Sequence, residues 1–239
     1  MQKNKFTTYL LYAIGEIVLV VIGILIAVNL NNWNQRRLLD TERIELLSSL
    51  KSDLNQALRR VEIHIEKNSQ TIEDLEILLN YSAGSPGDES ISDLLDKVES
   101  TLIVTYLNSY MTSFEQIKSS GKLGLIEKEE LLQKLSDLDA AMEGLLNAQE
   151  VFIKMFIIDE DGFNMTANAY YLSATEGNVK PHPELLLTTD NFDVYIRDKR
   201  TYQMLHKFYV TRVVYQEWAQ IAQRTLSEVL VEIDYSLDR

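Results

Sequence analysis

The sequence predicts an all-α protein, in which one N-terminal transmembrane helix continues into an extramembrane antiparallel bundle of about four long helices. Residues 9–30 are almost wholly apolar, and at ~1.5 Å per residue they cover the roughly 30 Å of a bilayer core. Apolar residues then recur every three or four positions in long segments, as in helices that bury one side. We therefore divide the chain into a short tail (1–8), a transmembrane helix (9–32) and a helical bundle domain (33–239).

The apolar stretch, Tyr9–Leu30, has one face that differs from the rest. At ~100° per residue, Glu16, Val20, Gly23 and Ala27 lie on the same side, and we predict that this side, the Gly23 face, contacts another helix. Gly23 and Ala27 form a small-xxx-small pair that permits close approach. A carboxylate facing lipid is costly, so we expect Glu16 to face protein, water or a proton path. A structural role for Glu16, protonated or hydrogen-bonded, and a role in proton coupling both stay open.

The residues that flank the apolar stretch predict how it sits in a membrane. Trp33 suits the interface between lipid and water, and Arg36 and Arg37 can extend to head groups. No cleavage site of the A-x-A type follows the stretch, so we expect an uncleaved signal anchor. Basic residues at the two ends nearly balance, but a long following domain can translocate regardless of modest charge. We expect a single-pass protein of the bacterial inner membrane with its bundle in the periplasm.

Two helices are predicted in the first half of the bundle domain. The first follows the transmembrane helix without an intervening Gly or Pro, so the two are expected to be continuous. It ends at the turn-forming run Ser82–Ser90; the second begins near Ile91, loosens at Val104–Tyr110 and ends with Gly121 as its C-cap. The stripe of the first helix comprises Leu47, Leu50, Leu54, Leu58, Val61, Ile65, Asn68, Ile72, Leu75 and Leu79.

Two further helices are predicted in the second half. The third opens at Glu127, and the last runs from about Phe192 to Ser236, with an irregular segment near 159–191 between them. Arg212 interrupts the apolar stripe of the last helix. An arginine at such a position pairs with a carboxylate, extends to the edge of the stripe or faces a ligand, and the sequence leaves these alternatives open.

Composition and motifs narrow the function classes. A net charge of −13 argues against nucleic acid as a partner, because phosphates require clustered Lys and Arg. The absence of cysteine excludes disulfides, thiolate nucleophiles and cysteine-ligated metals. The three histidines form no metal-binding motif, and Ser119–Lys122 lacks the first Gly and the Ser or Thr of a phosphate loop. We therefore expect no catalytic residues, no metal site and no cofactor, and a chain that is not an enzyme.

Two segments carry a resemblance to a known family. The run YAIGEIVLVVIGILIA at Tyr12–Ala27, followed by Asn31–Asn34 (NNWN), resembles the signature of an uncharacterised family of single-pass membrane proteins found chiefly in Bacteroidota. Phe114–Ile126 (FEQIKSSGKLGLI) is similar to the family's second recurring segment. The resemblance implies an N-terminal membrane helix followed by a helical region. It implies no activity and no catalytic residues, because this is a domain of unknown function.

Three functions fit these observations. The leading hypothesis is a non-enzymatic, membrane-anchored interaction or scaffold protein that associates through its transmembrane helix. Its partners would be the lipid membrane and either further copies of the chain, as a homo-oligomer, or another membrane protein. The alternatives are a ligand-sensing helical bundle that acts through a membrane partner, and an accessory subunit of a proton-coupled membrane machine that uses Glu16.

Overall fold

The structure, a computed structural model, describes residues 3–101, 107, 112–157 and 186–238. No β-strand occurs among these residues, so the predicted all-α class is confirmed. The elements in chain order are α1 (Lys3–Ser82), α2 (Ile91–Thr101), α3 (Thr112–Ser119), a 3₁₀ helix (Lys122–Leu125), α4 (Glu129–Ile157), α5 (Phe192–Ile196) and α6 (Lys199–Leu237).

The helix α1 is the longest element, with 80 residues. It begins before the apolar stretch and continues into the bundle without a break, as the absence of Gly and Pro between Gly23 and Gly84 predicts. It ends at a left-handed glycine, because Gly84 has φ = 88° and glycine reaches that conformation without a steric penalty. The amide of Gly84 donates to the carbonyl of Tyr81 at 3.0 Å and closes the last turn.

The helix α6 runs antiparallel to α1. Close to the apolar stretch, the Lys51 ammonium of α1 lies 2.5 Å from a carboxylate oxygen of Asp234, near the end of α6. At the opposite end of the bundle, the hydroxyl of Tyr209 in the first half of α6 donates to Glu76 of α1 at 3.0 Å. Positions that rise along α1 therefore meet positions that fall along α6.

The helices α3 and α4 complete an up-down-up-down arrangement. The α3 segment is antiparallel to α1, since Ser113 contacts Ser49 and Lys122, just after α3, pairs with Glu42. The helix α4 is antiparallel to α6: Lys128, before α4, pairs with Glu232 near the end of α6. Further along, the ring of Trp218 lies against Gly144 so closely that a Cβ there would collide with it.

The apolar side chains form two cores along the bundle. The near core, closer to the apolar stretch, joins α1, α3, α4 and the second half of α6; among its buried residues are Leu47, Leu50, Leu54, Val61, Leu131, Leu138, Leu145, Ala219, Leu226 and Ile233. The far core joins the end of α1 to α2, α5 and the first half of α6, with Leu75, Leu78, Leu94, Val98, Phe192, Ile196, Leu205 and Phe208 buried. At α2, the buried carboxylate of Asp74 accepts hydrogen bonds from Lys97 and Ser100.

Two helix boundaries can be compared with the predictions. Gly121 has φ = 72° just beyond α3, so it ends that helix as predicted. The single last helix from Phe192 is wrong, because the chain breaks into α5 and α6 at Asp198. The Asp198 carboxylate accepts from the amides of Arg200 at 2.8 Å and Thr201 at 3.3 Å, which starts a new helix. Most of the irregular segment predicted near 159–191 and nearly all of Val104–Tyr110 lie outside the described residues.

Candidate functional site

The first candidate site is the apolar stretch of α1. From Ile14 to Leu39 every residue of α1 is exposed, and 72% of Leu19 is accessible. Up to Leu30 this surface is apolar apart from Glu16 and Asn29 and includes the small residues Gly23 and Ala27, whereas residues 31–37 are mostly polar. By length and composition, this part of α1 is long and apolar enough to cross a membrane. An apolar surface of this size is rare on soluble monomers and is typical of contact with lipid or protein.

The continuity of α1 fixes where the Gly23 face lies relative to the bundle. Leu54 and Val61 are buried in the near core, and they mark the side of α1 that the other helices cover. Counting back at ~100° per residue brings Leu25 to that same side and places Gly23 and Ala27 roughly opposite it. By this ideal-helix count, the Gly23 face is on the side of α1 opposite the bundle.

The predicted interface residues lie next along α1. The guanidinium of Arg37 lies over the ring of Trp33 at 5.9 Å from the ring centroid, an arrangement that favours a cation near the aromatic face. Arg36 is also exposed. The hydroxyl of Thr41 donates to the carbonyl of Arg37 at 2.9 Å. These residues form an amphipathic boundary between the apolar stretch and the bundle.

The second candidate site is a polar layer inside the bundle, between the near and far cores. Asn68 of α1 is 2% exposed and Arg212 of α6 is 5% exposed. The Asn68 amide donates to the carbonyl of Arg212 at 2.9 Å and to the side chain of Gln216 at 2.8 Å. The Arg212 guanidinium donates to Asn68 Oδ1 at 3.3 Å and lies 4.2 Å from the ring centroid of Phe152. Burial lowers the pKa of Arg212 to about 10, so the guanidinium is charged at neutral pH.

A histidine and a tyrosine border this layer. The hydroxyl of Tyr215 lies 3.4 Å from His64 Nδ1. Burial lowers the pKa of His64, and the nearby charges of Lys67 and Arg212 act in the same direction. Burial also raises the pKa of Tyr215 to about 12. Both shifts favour the uncharged forms of these two side chains at neutral pH.

The third candidate is a cavity of about 450 Å³ between α1 and the α3 segment. A pair of serine hydroxyls, Ser49 and Ser113, lies 2.9 Å apart on its wall, and the backbone amide of Ser113 is anchored on Asp53. The Lys122 ammonium lies 2.6 Å from a carboxylate oxygen of Glu42. The lining is Glu42, Glu45, Leu46, Ser49, Ser113, Gln116, Ile117, Ser119, Ser120 and Lys122. This mixture of hydroxyls, an amide and charges suits a small polar molecule.

The described part of the chain contains no group of three or more His, Asp or Glu residues arranged to hold a metal ion. Gly121 is the turn that ends α3, and Lys122 is engaged by Glu42.

These observations define a helical protein with an apolar N-terminal helix that could cross a membrane. The chain belongs to the Family of unknown function (DUF6090), whose sequence profile matches residues 16–154. The match begins at Glu16 and ends within α4, so it includes the Gly23 face and the cavity between α1 and α3. No curated protein and no solved structure matches the chain.

Proposed function

We propose that this protein is a non-enzymatic, membrane-anchored scaffold that self-associates through the Gly23 face. The observation that carries the proposal is the continuity of α1. One helix holds an exposed apolar stretch and a core helix of the bundle, and its small residues lie on the side that the bundle leaves free. A second copy can therefore approach that side without displacing any helix of the bundle.

Two physical arguments support a membrane location for the apolar stretch and self-association through it. The described helices do not cover the apolar stretch, whereas lipid would remove it from water on all sides. Gly23 has nothing within 4 Å of the position where a Cβ would be, so a second helix can come close to the α1 backbone there. In such a contact, Glu16 would be shielded from lipid by the partner helix, which reduces the cost of placing a carboxylate in the membrane.

The placement in the cell is part of the proposal. The resemblance to Bacteroidota single-pass proteins and the Trp33–Arg37 boundary support an inner-membrane anchor. The length of the domain after the anchor supports a periplasmic bundle.

Cysteine cross-linking in native membranes tests the association, because the chain has no cysteine of its own. We expect Gly23→Cys and Ala27→Cys to form disulfide-linked dimers on mild oxidation. Leu25→Cys, on the opposite side of the same helix turn, is the matched control and should remain monomeric. Equal cross-linking at all three positions, or at none, would contradict the proposed face.

A bulky substitution gives an independent measurement. Gly23→Leu should prevent close approach and lower the dimer fraction in detergent about tenfold, whereas Val21→Leu on the opposite side of the helix should leave it unchanged. Analytical ultracentrifugation of the two variants measures both fractions. Dimers of Gly23→Leu as stable as those of the wild type would contradict association through the Gly23 face.

The cavity between α1 and α3 favours a second function, a ligand sensor that acts through a membrane partner. A small polar solute bound there would contact Glu45 and Ser49 of α1 directly, and so could alter the helix that leads to the apolar stretch. Binding would raise the melting temperature of the wild type. Gln116→Trp, which fills the cavity, should abolish that rise. A screen of amino acids and monosaccharides without any rise would remove the support for a sensor.

A further inference from the structure

In the polar layer, buried and partly buried polar side chains lie in the seam between α1 and α6. Asn68 comes from α1, Arg212 and Gln216 come from α6, and Phe152 of α4 lies against the guanidinium. All three long helices therefore meet at this level. The near core ends on one side of it and the far core begins on the other.

Away from this layer, the seam repeats from turn to turn. The residues that α1 buries there are Leu47, Leu50, Leu54, Ala57, Val61, Leu75 and Leu78, and those of α6 include Leu205, Ala219, Ala222, Leu226, Val229 and Ile233. Because the spacing is three and four residues throughout, a slide of one helix turn, about 5.4 Å, superimposes one apolar position on the next. Apolar burial alone therefore specifies the pairing of α1 and α6 better than it specifies their axial register.

The polar layer distinguishes between these registers. In the observed register, Asn68 donates two hydrogen bonds to α6 and accepts one from Arg212. A slide of one turn would bring Phe208 beside Asn68 in place of Gln216, or Ala219 in place of Arg212, and both are buried without a polar side-chain atom. The hydrogen bond that Asn68 then loses disfavours that register by roughly tenfold, and a guanidinium moved towards apolar groups disfavours it further.

We propose that Asn68, Arg212 and Gln216 form a register lock that prevents α1 from sliding along α6. The lock provides a unique arrangement rather than stability, because desolvating a guanidinium and two amides opposes folding and an apolar layer would not. With the lock in place, an axial displacement of the apolar stretch is transmitted to the far core instead of being lost as slip between helices.

Distance measurements on the full chain in detergent test the lock. Spin labels on Ser52→Cys of α1 and Gln203→Cys of α6, both exposed, report the axial register by pulsed EPR. Unlabelled protein is added in excess so that only distances within one chain are read. The wild type should give one narrow distance. The variant Asn68→Leu/Arg212→Met/Gln216→Leu should melt at the same or a higher temperature and show a second distance displaced by about 5 Å.

A matched control makes the same three side-chain changes at exposed positions of the same helices. Asn80→Leu, Arg200→Met and Gln220→Leu should keep the single narrow distance. A lock variant that keeps it as well would overturn the proposal.

A lock variant that fails to fold would also overturn it, since the layer would then be needed for folding rather than for register. Gln216→Leu provides a second, milder variant, because it leaves Asn68 and Arg212 in contact. It should show the displaced distance as a minor population, and its absence there would count against the lock.

Discussion

The two parts of α1 differ in how their apolar side chains are distributed around the helix. From Ile14 to Leu30 the helix is apolar around most of its circumference and is exposed throughout. From Leu46 to Leu78 it is apolar along one stripe, and that stripe is buried against the other helices. No glycine or proline lies between the two parts, and both are α-helical, so backbone conformation does not distinguish them. Only the distribution of side chains does.

This difference shows what each part requires from its surroundings. A striped helix finds its apolar contacts within its own chain, whereas a helix that is apolar all round needs an apolar medium from outside. Similar substitutions in the two parts should therefore have different consequences. Those in the striped part should alter folding of the bundle, and those in the apolar part should alter partitioning and association.

The largest effect is expected from charges in the apolar part. Leu19→Arg together with Ile24→Arg should disfavour membrane insertion by about 6 kcal/mol, at about 3 kcal/mol for each arginine near the bilayer centre. The protein should then appear in the supernatant after an alkaline wash of membranes. Ser52→Arg together with Gln56→Arg, on the exposed side of the striped part, should remain in the pellet. Retention of both variants would contradict the proposed membrane anchor.

A cavity in the striped part is expected to have the next largest effect. Leu54 is fully buried in the near core, so Leu54→Ala should lower the free energy of unfolding of the bundle by about 2–5 kcal/mol. Leu25→Ala makes the same change at a position that is 56% exposed and should leave that free energy unchanged. Urea titrations in detergent, followed by circular dichroism, measure both values. A comparable loss from Leu25→Ala would mean that the apolar part also packs on the bundle.

Substitution of the glycine at the end of α1 and of a glycine inside its apolar part should have different effects on stability. Gly84 adopts φ = 88° at the end of α1, so Gly84→Ala should destabilise the bundle by about 1 kcal/mol. Gly23 lies inside the helix with open space around it, so Gly23→Ala should leave the melting temperature of the bundle unchanged. Calorimetry of the two variants separates these outcomes, and equal shifts would contradict the assignment of Gly84 as a conformational stop.

The smallest effect concerns pH and the edge of the polar layer. Burial lowers the pKa of His64 in the folded chain, whereas the unfolded chain titrates near about 6.5. Between about 6.5 and the folded-state value, the unfolded chain binds more protons, so stability falls as the pH drops through this window. One group contributes a slope of at most about 1.4 kcal/mol per pH unit. His64→Gln should flatten the melting temperature between pH 7 and pH 5, and an unchanged slope would show that His64 does not control it.

The features that could be predicted from the sequence are those with a local cause. The stripe through Leu47, Leu50 and Leu54 defines a helix by its spacing alone, and Gly84 and Gly121 mark turns because glycine reaches φ > 0. The break at Asp198 had a local cause too, since aspartate is a favoured N-cap. It was missed because no Gly or Pro interrupts the chain near it, so we extended one helix across it.

The candidate sites inside the bundle could not be predicted in this way. Asn68 and Arg212 each interrupt a stripe, but they lie 144 positions apart, and their contact depends on how α1 and α6 align along their axes. None of the alternatives predicted for Arg212 named an amide on α1 as its partner. The cavity between α1 and α3 likewise depends on the distance between two helices, which no spacing within either helix sets.

Because α1 is unbroken, its length sets the distance between the apolar stretch and the far end of the bundle. From Leu30, where the apolar stretch ends, to Ser82, the helix rises roughly 80 Å at ~1.5 Å per residue. The turn at Gly84 is therefore held at a fixed distance along the helix axis from the apolar stretch, because no break in α1 could shorten it. If the apolar stretch is the anchor that we propose, a partner at the tip of the bundle would have to reach that distance, and inserting or deleting helix turns between Asn34 and Thr41 would change it by about 5.4 Å per turn.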